Sequence, residues 1–285
     1  MGIIAAIFII AGLVGGIILE GKRLWVADHQ DHEFTTDSVK TFAAVMAGAI
    51  IAFILKVELG LGAIVAAGLT AFVASLIVPS HGVPIYCGAF IGMTSARLFI
   101  GYSDLILASA IAGTIYIFTQ RSFLGFGGKL GTIAFAGTFI TGFGLKREFL
   151  VTSFPEAELL IPIILCAVSA TVFTYYLNVI RGHGAVVASG AVGLIGGLVL
   201  PNLFPGEVGG TLAVMAICAS FAGMSSADRI SSRWAVVLMG LLTGVIFFFS
   251  MPLAGGAGGK LGTIAFGAVI STHAWGTIFS RASKP

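Results

Sequence analysis

Apolar residues run in long blocks, broken by short polar or glycine-rich interruptions. The first block, Gly2 to Leu19, leads into the longest polar stretch, Glu20 to Lys40. Ten more blocks follow. Five lie at about 39–57, 60–78, 83–102, 104–120 and 128–145, and five at about 158–178, 184–200, 209–227, 234–251 and 260–279. Each approaches the roughly 17–25 residues that a helix needs to cross a bilayer. The pattern predicts an all-α polytopic membrane protein with eleven crossings.

The ten blocks form two sets because the chain repeats itself. Gly127 to Phe135 and Gly258 to Phe266 both read GGKLGTIAF, an offset of 131. The same offset aligns Cys87, Phe90, Gly92, Met93, Ser95 and Ala96 with Cys218, Phe221, Gly223, Met224, Ser226 and Ala227, and Gly113 with Gly244. Upstream the offset becomes 122. There Gly62, Ala63, Val65, Gly68 and Pro79 match Gly184, Ala185, Val187, Gly190 and Pro201. A nine-residue insertion after Pro201, containing Pro205 and Glu207, accounts for the change. The expected organisation is an N-terminal helix and polar loop (1–37), a first repeat (38–148) and a second repeat (158–281).

Five crossings per half is an odd number, so the halves should have opposite orientation, an inverted repeat. One alternative stays open. If the small-residue-rich third block of each half is re-entrant, each half crosses four times, the repeats are parallel and the total is nine. The distribution of basic residues does not choose. With Lys22, Arg23 and Lys40 cytoplasmic, both arrangements put ten Lys and Arg inside and five outside. Eleven is the plainer count.

Composition agrees with the pattern. Mean hydropathy is +1.07 and only 9% of residues are charged, against about a quarter in soluble domains. No polar block is large enough for a separate soluble domain. The expected location is a bacterial inner or plasma membrane, with lipids and a small solute or ion as partners. A net charge of +3, spread along the chain, gives no reason to expect nucleic acid. The first block lacks a basic leader and a small-residue cleavage site, so it reads as a retained helix. Ala6 stands where N-myristoylation would need Ser or Thr. The three cysteines sit in apolar runs and suggest buried hydrophobes, not disulfides. Glycines four apart (Gly12 and Gly16, Gly193 and Gly197, Gly240 and Gly244) let helices approach closely in lipid. Packing inside one bundle is the plainer use of these pairs, and contacts in a homo-oligomer the other.

The candidate chemistry sits in the repeated blocks. Gly127-Gly128-Lys129 and Gly258-Gly259-Lys260 are too glycine-rich to be helical, and helix should begin just after them. A helix start exposes unpaired N–H groups and a partial positive charge, and a lysine adds a full one. Together they make an anion-attracting spot. Interrupted segments at matching places in two halves point to a transport site. Lysines that merely snorkel to headgroups are the competing reading. Thr132 and Thr263, one turn further on, are natural hydroxyl partners for a solute. Leu follows each Gly-Lys pair, so the phosphate-binding P-loop pattern fails.

Thr94-Ser95 and Ser225-Ser226 place hydroxyls in the third block of each half, either bonded back to the helix or lining a polar path. Arg97 and Asp228 occupy equivalent positions with opposite charge, and an ion pair between the halves is expected. No carboxylate falls inside an apolar block, since Glu20, Glu58, Asp104 and Glu158 all lie at block ends. This favours a channel or facilitator over a carboxylate-coupled carrier. The loop Asp28-His29-Gln30-Asp31-His32-Glu33 offers Asp28, His29, Asp31 and His32 as ligands for Zn, Ni or Mn, though a solvated loop is the simpler reading. Enzyme motifs are absent and no cofactor is expected. The function expected is a channel or transporter for a small anion or small polar solute, with its pathway between the repeats. The alternatives are a membrane-embedded subunit of a larger complex, whose lysine blocks bind lipid or a partner, and a divalent-cation transporter fed by the His29/His32 loop.

Overall fold

The computed structural model describes residues 2–26, 35–204 and 206–282. Among the described residues there are eleven α-helices and no strand. The helices are α1 (Gly2–Val26), α2 (Thr36–Val57), α3 (Ala63–Ile77), α4 (Gly82–Gly92), α5 (Tyr102–Phe118), α6 (Lys129–Gly144), α7 (Leu160–Tyr175), α8 (Ala185–Leu203), α9 (Glu207–Gly223), α10 (Arg233–Ser250) and α11 (Lys260–Ala282). A 3₁₀ turn, Ala157–Leu159, precedes α7, and a π-turn, Tyr176–Ile180, extends it. Four helical stretches are long and apolar enough to cross a membrane: Thr36–Val57, Ala157–Ile180, Ala185–Leu203 and Arg233–Ser250.

Each expected block corresponds to one helix, but several helices are shorter than their blocks. The largest difference is in the block at 83–102. Its helix, α4, has 11 residues and is about 16 Å long at 1.5 Å per residue. The chain leaves helical geometry at Thr94 and resumes it only at Tyr102. Arg97 and the small residues before it interrupt the block, as Asp228 does in the other half, but Leu98, Phe99 and Ile100 continue the apolar run and hide where the helix stops. Glu20 also differs from expectation. Helix α1 continues to Val26, so Glu20 lies within it and is buried at 3% exposure. It sits between Arg23 (3.1 Å) and Arg229 (3.2 Å) and ties α1 to the segment after α9.

Small residues set the packing. Helices α2 and α4 run parallel, with Gly88 against the Val45 carbonyl and Gly92 against Ala49 and Ala52. Helices α3 and α8 run antiparallel, with Gly68 against Gly190 and Leu194, and Gly197 against Ile64 and Val65. The glycine pairs four apart all face neighbours in the same chain. Gly12 and Gly16 meet Ser271 and Ile270 on α11, Gly193 meets Ile217, and Gly240 and Gly244 meet Val168 and Ala167 on α7. Large apolar side chains point outward instead, among them Ile7, Ile10, Leu76, Phe143, Ile161, Leu165 and Leu198. Many buried polar groups are hydroxyls, including Thr94, Thr138, Thr171, Ser189, Ser220, Ser225 and Thr243. Small and hydroxylic residues line the close helix contacts, large side chains such as Tyr86, Phe90, Phe99, Phe221 and Phe247 fill the interior between them, and much of the outer surface is aliphatic.

A side chain at Gly88 would collide with the backbone of α2, and overpacking of this kind costs about 1–3 kcal/mol. Gly88→Ala should lower Tm in detergent by several degrees. Gly276→Ala, on α11 with no atom near the added carbon, should leave Tm unchanged or raise it.

Candidate functional site

The two lysine blocks meet at the centre of the fold. Helices α6 and α11 cross antiparallel at Gly131 and Gly262, where a Cβ on Gly131 would lie 2.6 Å from the Gly262 Cα. Gly128 abuts the backbone at Gly262 and Phe266, and Gly259 abuts the backbone at Gly131 and Phe135. Each helix start thus lies beside the first two turns of the other. Both starts are reached through left-handed backbone, with φ of 84° at Gly128 and 82° at Gly259. Side-chain-bearing residues rarely adopt this conformation. The preceding turns match as well. Gly125 and Gly256 both have φ 78°, while Phe123 and Ala254 adopt φ of 51° and 47° despite carrying side chains. Left-handed non-glycine residues store strain and cluster at functional sites.

Around this crossing, helix ends from opposite halves meet. The last carbonyls of α4, at Phe90 and Ile91, face Gly258 just before α11. Those of α9, at Phe221 and Ala222, face Gly127 just before α6. One hydroxyl bridges each junction. Thr94 Oγ1 donates to the Ile91 carbonyl at 2.6 Å and accepts from the Gly258 N–H at 3.2 Å. Ser225 Oγ donates to the Ala222 carbonyl at 2.7 Å and accepts from the Gly127 N–H at 3.1 Å. The neighbouring residues repeat the exchange, the Ser95 N–H donating to the Gly256 carbonyl at 2.8 Å and the Ser226 N–H to the Gly125 carbonyl at 2.9 Å. A negative carboxyl end therefore faces a positive amino end at each junction, which is favourable for helix dipoles. These hydroxyls act as caps, as the helix-bonding reading anticipated, and Ser95 also lines a cavity.

The lysine head groups bind carbonyls. Lys129 Nζ donates to the carbonyls of Thr119 (2.6 Å), Gln120 (3.2 Å) and Ser122 (2.5 Å), just past the end of α5. Lys260 Nζ donates to the Met251 carbonyl at 2.9 Å, just past α10. Cations at helix carboxyl ends are stabilising. A second pair of caps was not expected from the sequence. Lys56 Nζ donates to the Gly92 carbonyl at 3.0 Å and to that of Thr94, and Asn178 Nδ2 donates to those of Gly223 and Ser225, both at 3.3 Å. Lys56 and Asn178 are equivalent at the upstream offset of 122, which was the available signal.

Two cavities flank the crossing. The first, about 520 Å³, is lined by Gly125 to Gly131 with Thr41, Ser80, Tyr116, Gln120 and Met224. The second, about 350 Å³, is lined by Gly255 to Leu261 with Ala63, Met93, Ser95 and Thr152. Among the described residues each cavity has one charged lining residue, Lys129 in the first and Lys260 in the second. The two share only Phe90 and Phe221, whose rings lie 4.6 Å apart. The repeat had already aligned these phenylalanines, but nothing in an apolar block sets them apart from the other 21.

The remaining candidates divide. Gly127, Gly128, Lys129, Gly258, Gly259 and Lys260 all line cavities. Thr132 Oγ1 bonds back to the Gly128 carbonyl at 3.3 Å. Thr263 Oγ1 is buried without a hydrogen-bond partner, and neither threonine lines either cavity. The expected Arg97–Asp228 pair does not form. Both residues are exposed on turns, and among the described residues the ion pairs are Arg23–Glu20, Arg147–Asp104 and Arg229–Glu20. Asp28, His29, Asp31 and His32 lie outside the described residues.

Removing a junction hydroxyl leaves a buried N–H unpaired, at a cost of about 1–3 kcal/mol. Thr94→Val and Ser225→Ala should each destabilise by that amount in unfolding measurements. Thr114→Val, which loses only an exposed bond to its own helix, should cost less. Comparison with protein-family models, with curated proteins and with solved structures finds no match to this chain.

Proposed function

We propose that the chain is an integral membrane channel or facilitator for a small anion or small polar solute, with its pathway between two oppositely oriented halves. The observation that carries this reading is the pair of matched cavities, each lined, among the described residues, by one cationic and no acidic side chain. The lysine hydrogen bonds to neutral carbonyls leave the positive charge uncancelled, so both cavities favour anions over cations.

Several features support the membrane arrangement. The outer surface is rich in large aliphatic and aromatic groups, which suits contact with lipid. The antiparallel crossings of α6 with α11 and of α3 with α8 are those expected of an inverted repeat. Tyr102 Oη donates to Glu58 Oε1 at 3.1 Å, so α5 begins near the far end of α2. Tyr175, near the end of α7, similarly reaches the Ile230 carbonyl shortly before α10. In each half the chain after the third helix emerges at the end of the half's first helix, which favours eleven passes over the re-entrant alternative. The subunit reading has one observation in its favour, an apolar groove of about 680 Å³ between α7, α8 and α9, lined by Leu165, Phe173, Ile195 and Val199 among others.

The purified chain alone in liposomes should carry small anions. Lys129→Met and Lys260→Met should each cut that flux about tenfold, equivalent to roughly 1.4 kcal/mol. Unchanged flux in the double variant would reduce the lysines to helix caps. Absence of flux, with a stoichiometric partner co-purifying, would favour the subunit reading. Cysteines introduced at Arg121 and at its equivalent Pro252 should be labelled from opposite sides of the membrane; labelling from one side would rule out inversion.

A further inference from the structure

We propose that the Phe90–Phe221 ring pair is the gate and selectivity barrier of this pathway, and that it passes weakly hydrated monovalent anions. The proposal rests on the transport reading above and goes beyond it in naming the barrier and the solute class. Among the described residues, Phe90 and Phe221 alone are common to both cavity linings. Each is 1% exposed, and their rings meet at 4.6 Å with a 58° tilt. They sit on the last turns of α4 and α9, next to the end-to-end helix junctions. In this proposal a solute moving from the Lys129 cavity to the Lys260 cavity parts these rings.

Apolar constrictions gate by excluding water. An ion entering one loses hydration that the rings do not replace with hydrogen bonds. The barrier is lowest for anions that hold water weakly and highest for small or multivalent ones. One lysine per cavity matches a single negative charge.

The gate is braced on one side. Tyr86 stacks obliquely on Phe90 at 4.2 Å, and its hydroxyl bonds Ser189 Oγ at 2.9 Å. Ser189 in turn bonds Ser220 Oγ at 2.8 Å. All three side chains are fully buried, and the chain crosses from the first half to the second. The repeat equivalents of Tyr86 and Ser220 are Ile217 and Ala89, so this brace exists once. It ties the Phe90 ring to α8 and α9.

The test is liposome flux of thiocyanate and nitrate against sulfate and fluoride. The native chain should carry thiocyanate and nitrate at least tenfold faster. Phe90→Ala, Phe221→Ala and the double variant should raise sulfate and fluoride flux and collapse that ratio. Phe90→Leu and Phe221→Leu retain an apolar filling should the alanine variants fail to fold, and should narrow the ratio partway. Tyr86→Phe, which removes only the hydroxyl from the brace, should raise basal flux. Native flux with no preference among the four anions would overturn the gate proposal and leave the transport reading intact. So would a double variant that folds and keeps native selectivity. A native chain that carries none of the four anions and no small polar solute would overturn both.

Discussion

The arrangement depends on helix ends that meet inside the molecule. A helix that stops away from water leaves unpaired carbonyls at one end and unpaired N–H groups at the other. Here the carboxyl end of α4 is set against the start of α11, and that of α9 against the start of α6. Thr94 and Ser225 close the two gaps with one hydroxyl each. The contact is possible only because the approaching residues are glycines, since Gly127, Gly258, Gly131 and Gly262 all touch backbone of the opposite half. Neither half completes its own interrupted helices. Each supplies the missing end for the other, so the centre of the fold forms only when both are in place.

Charge is managed by the same logic. Lys129, Lys260, Lys56 and Asn178 all donate to carbonyls near helix ends. Read from sequence, the glycine-flanked lysines are ligand-binding groups. In the fold they first terminate α5 and α10, and only then contribute their charge to a cavity. The two roles are compatible, because a neutral carbonyl accepts a hydrogen bond without cancelling the ammonium charge.

The pseudo-symmetry is broken in informative places. Arg229 is held by Glu20 of α1 and lies over the Phe126 ring at 4.5 Å, whereas its equivalent in the first half is Leu98. Glu20 lies on α1, outside the two aligned halves, so this support of Arg229 exists once. The Tyr86–Ser189–Ser220 chain is likewise single. Matching contacts in the two aligned halves thus stand beside supports that occur once. The two cavities also differ in size, at about 520 and 350 Å³.

The sequence by itself determined the number of helices, the positions of the glycine turns before Lys129 and Lys260, and the pairing of positions between halves. Hydrophobic periodicity and block length set helices, and a nine-residue identity fixes an offset without any coordinates. It also pointed to Gly127, Gly128, Gly258 and Gly259 as non-helical; Gly128 and Gly259 take left-handed backbone that glycine adopts readily, and Gly127 and Gly258 touch backbone of the opposite half. Only the tertiary structure decided where helices stop inside apolar runs, as α4 does after Gly92, because that depends on a partner helix end elsewhere in the chain. It alone left Arg97 and Asp228 apart and joined Arg229 to Glu20 across 209 residues. It alone singled out Phe90 and Phe221 from 23 phenylalanines. A side chain's neighbours come from the folding of distant segments against one another, and an apolar block carries no local mark of which ring will stand between two cavities.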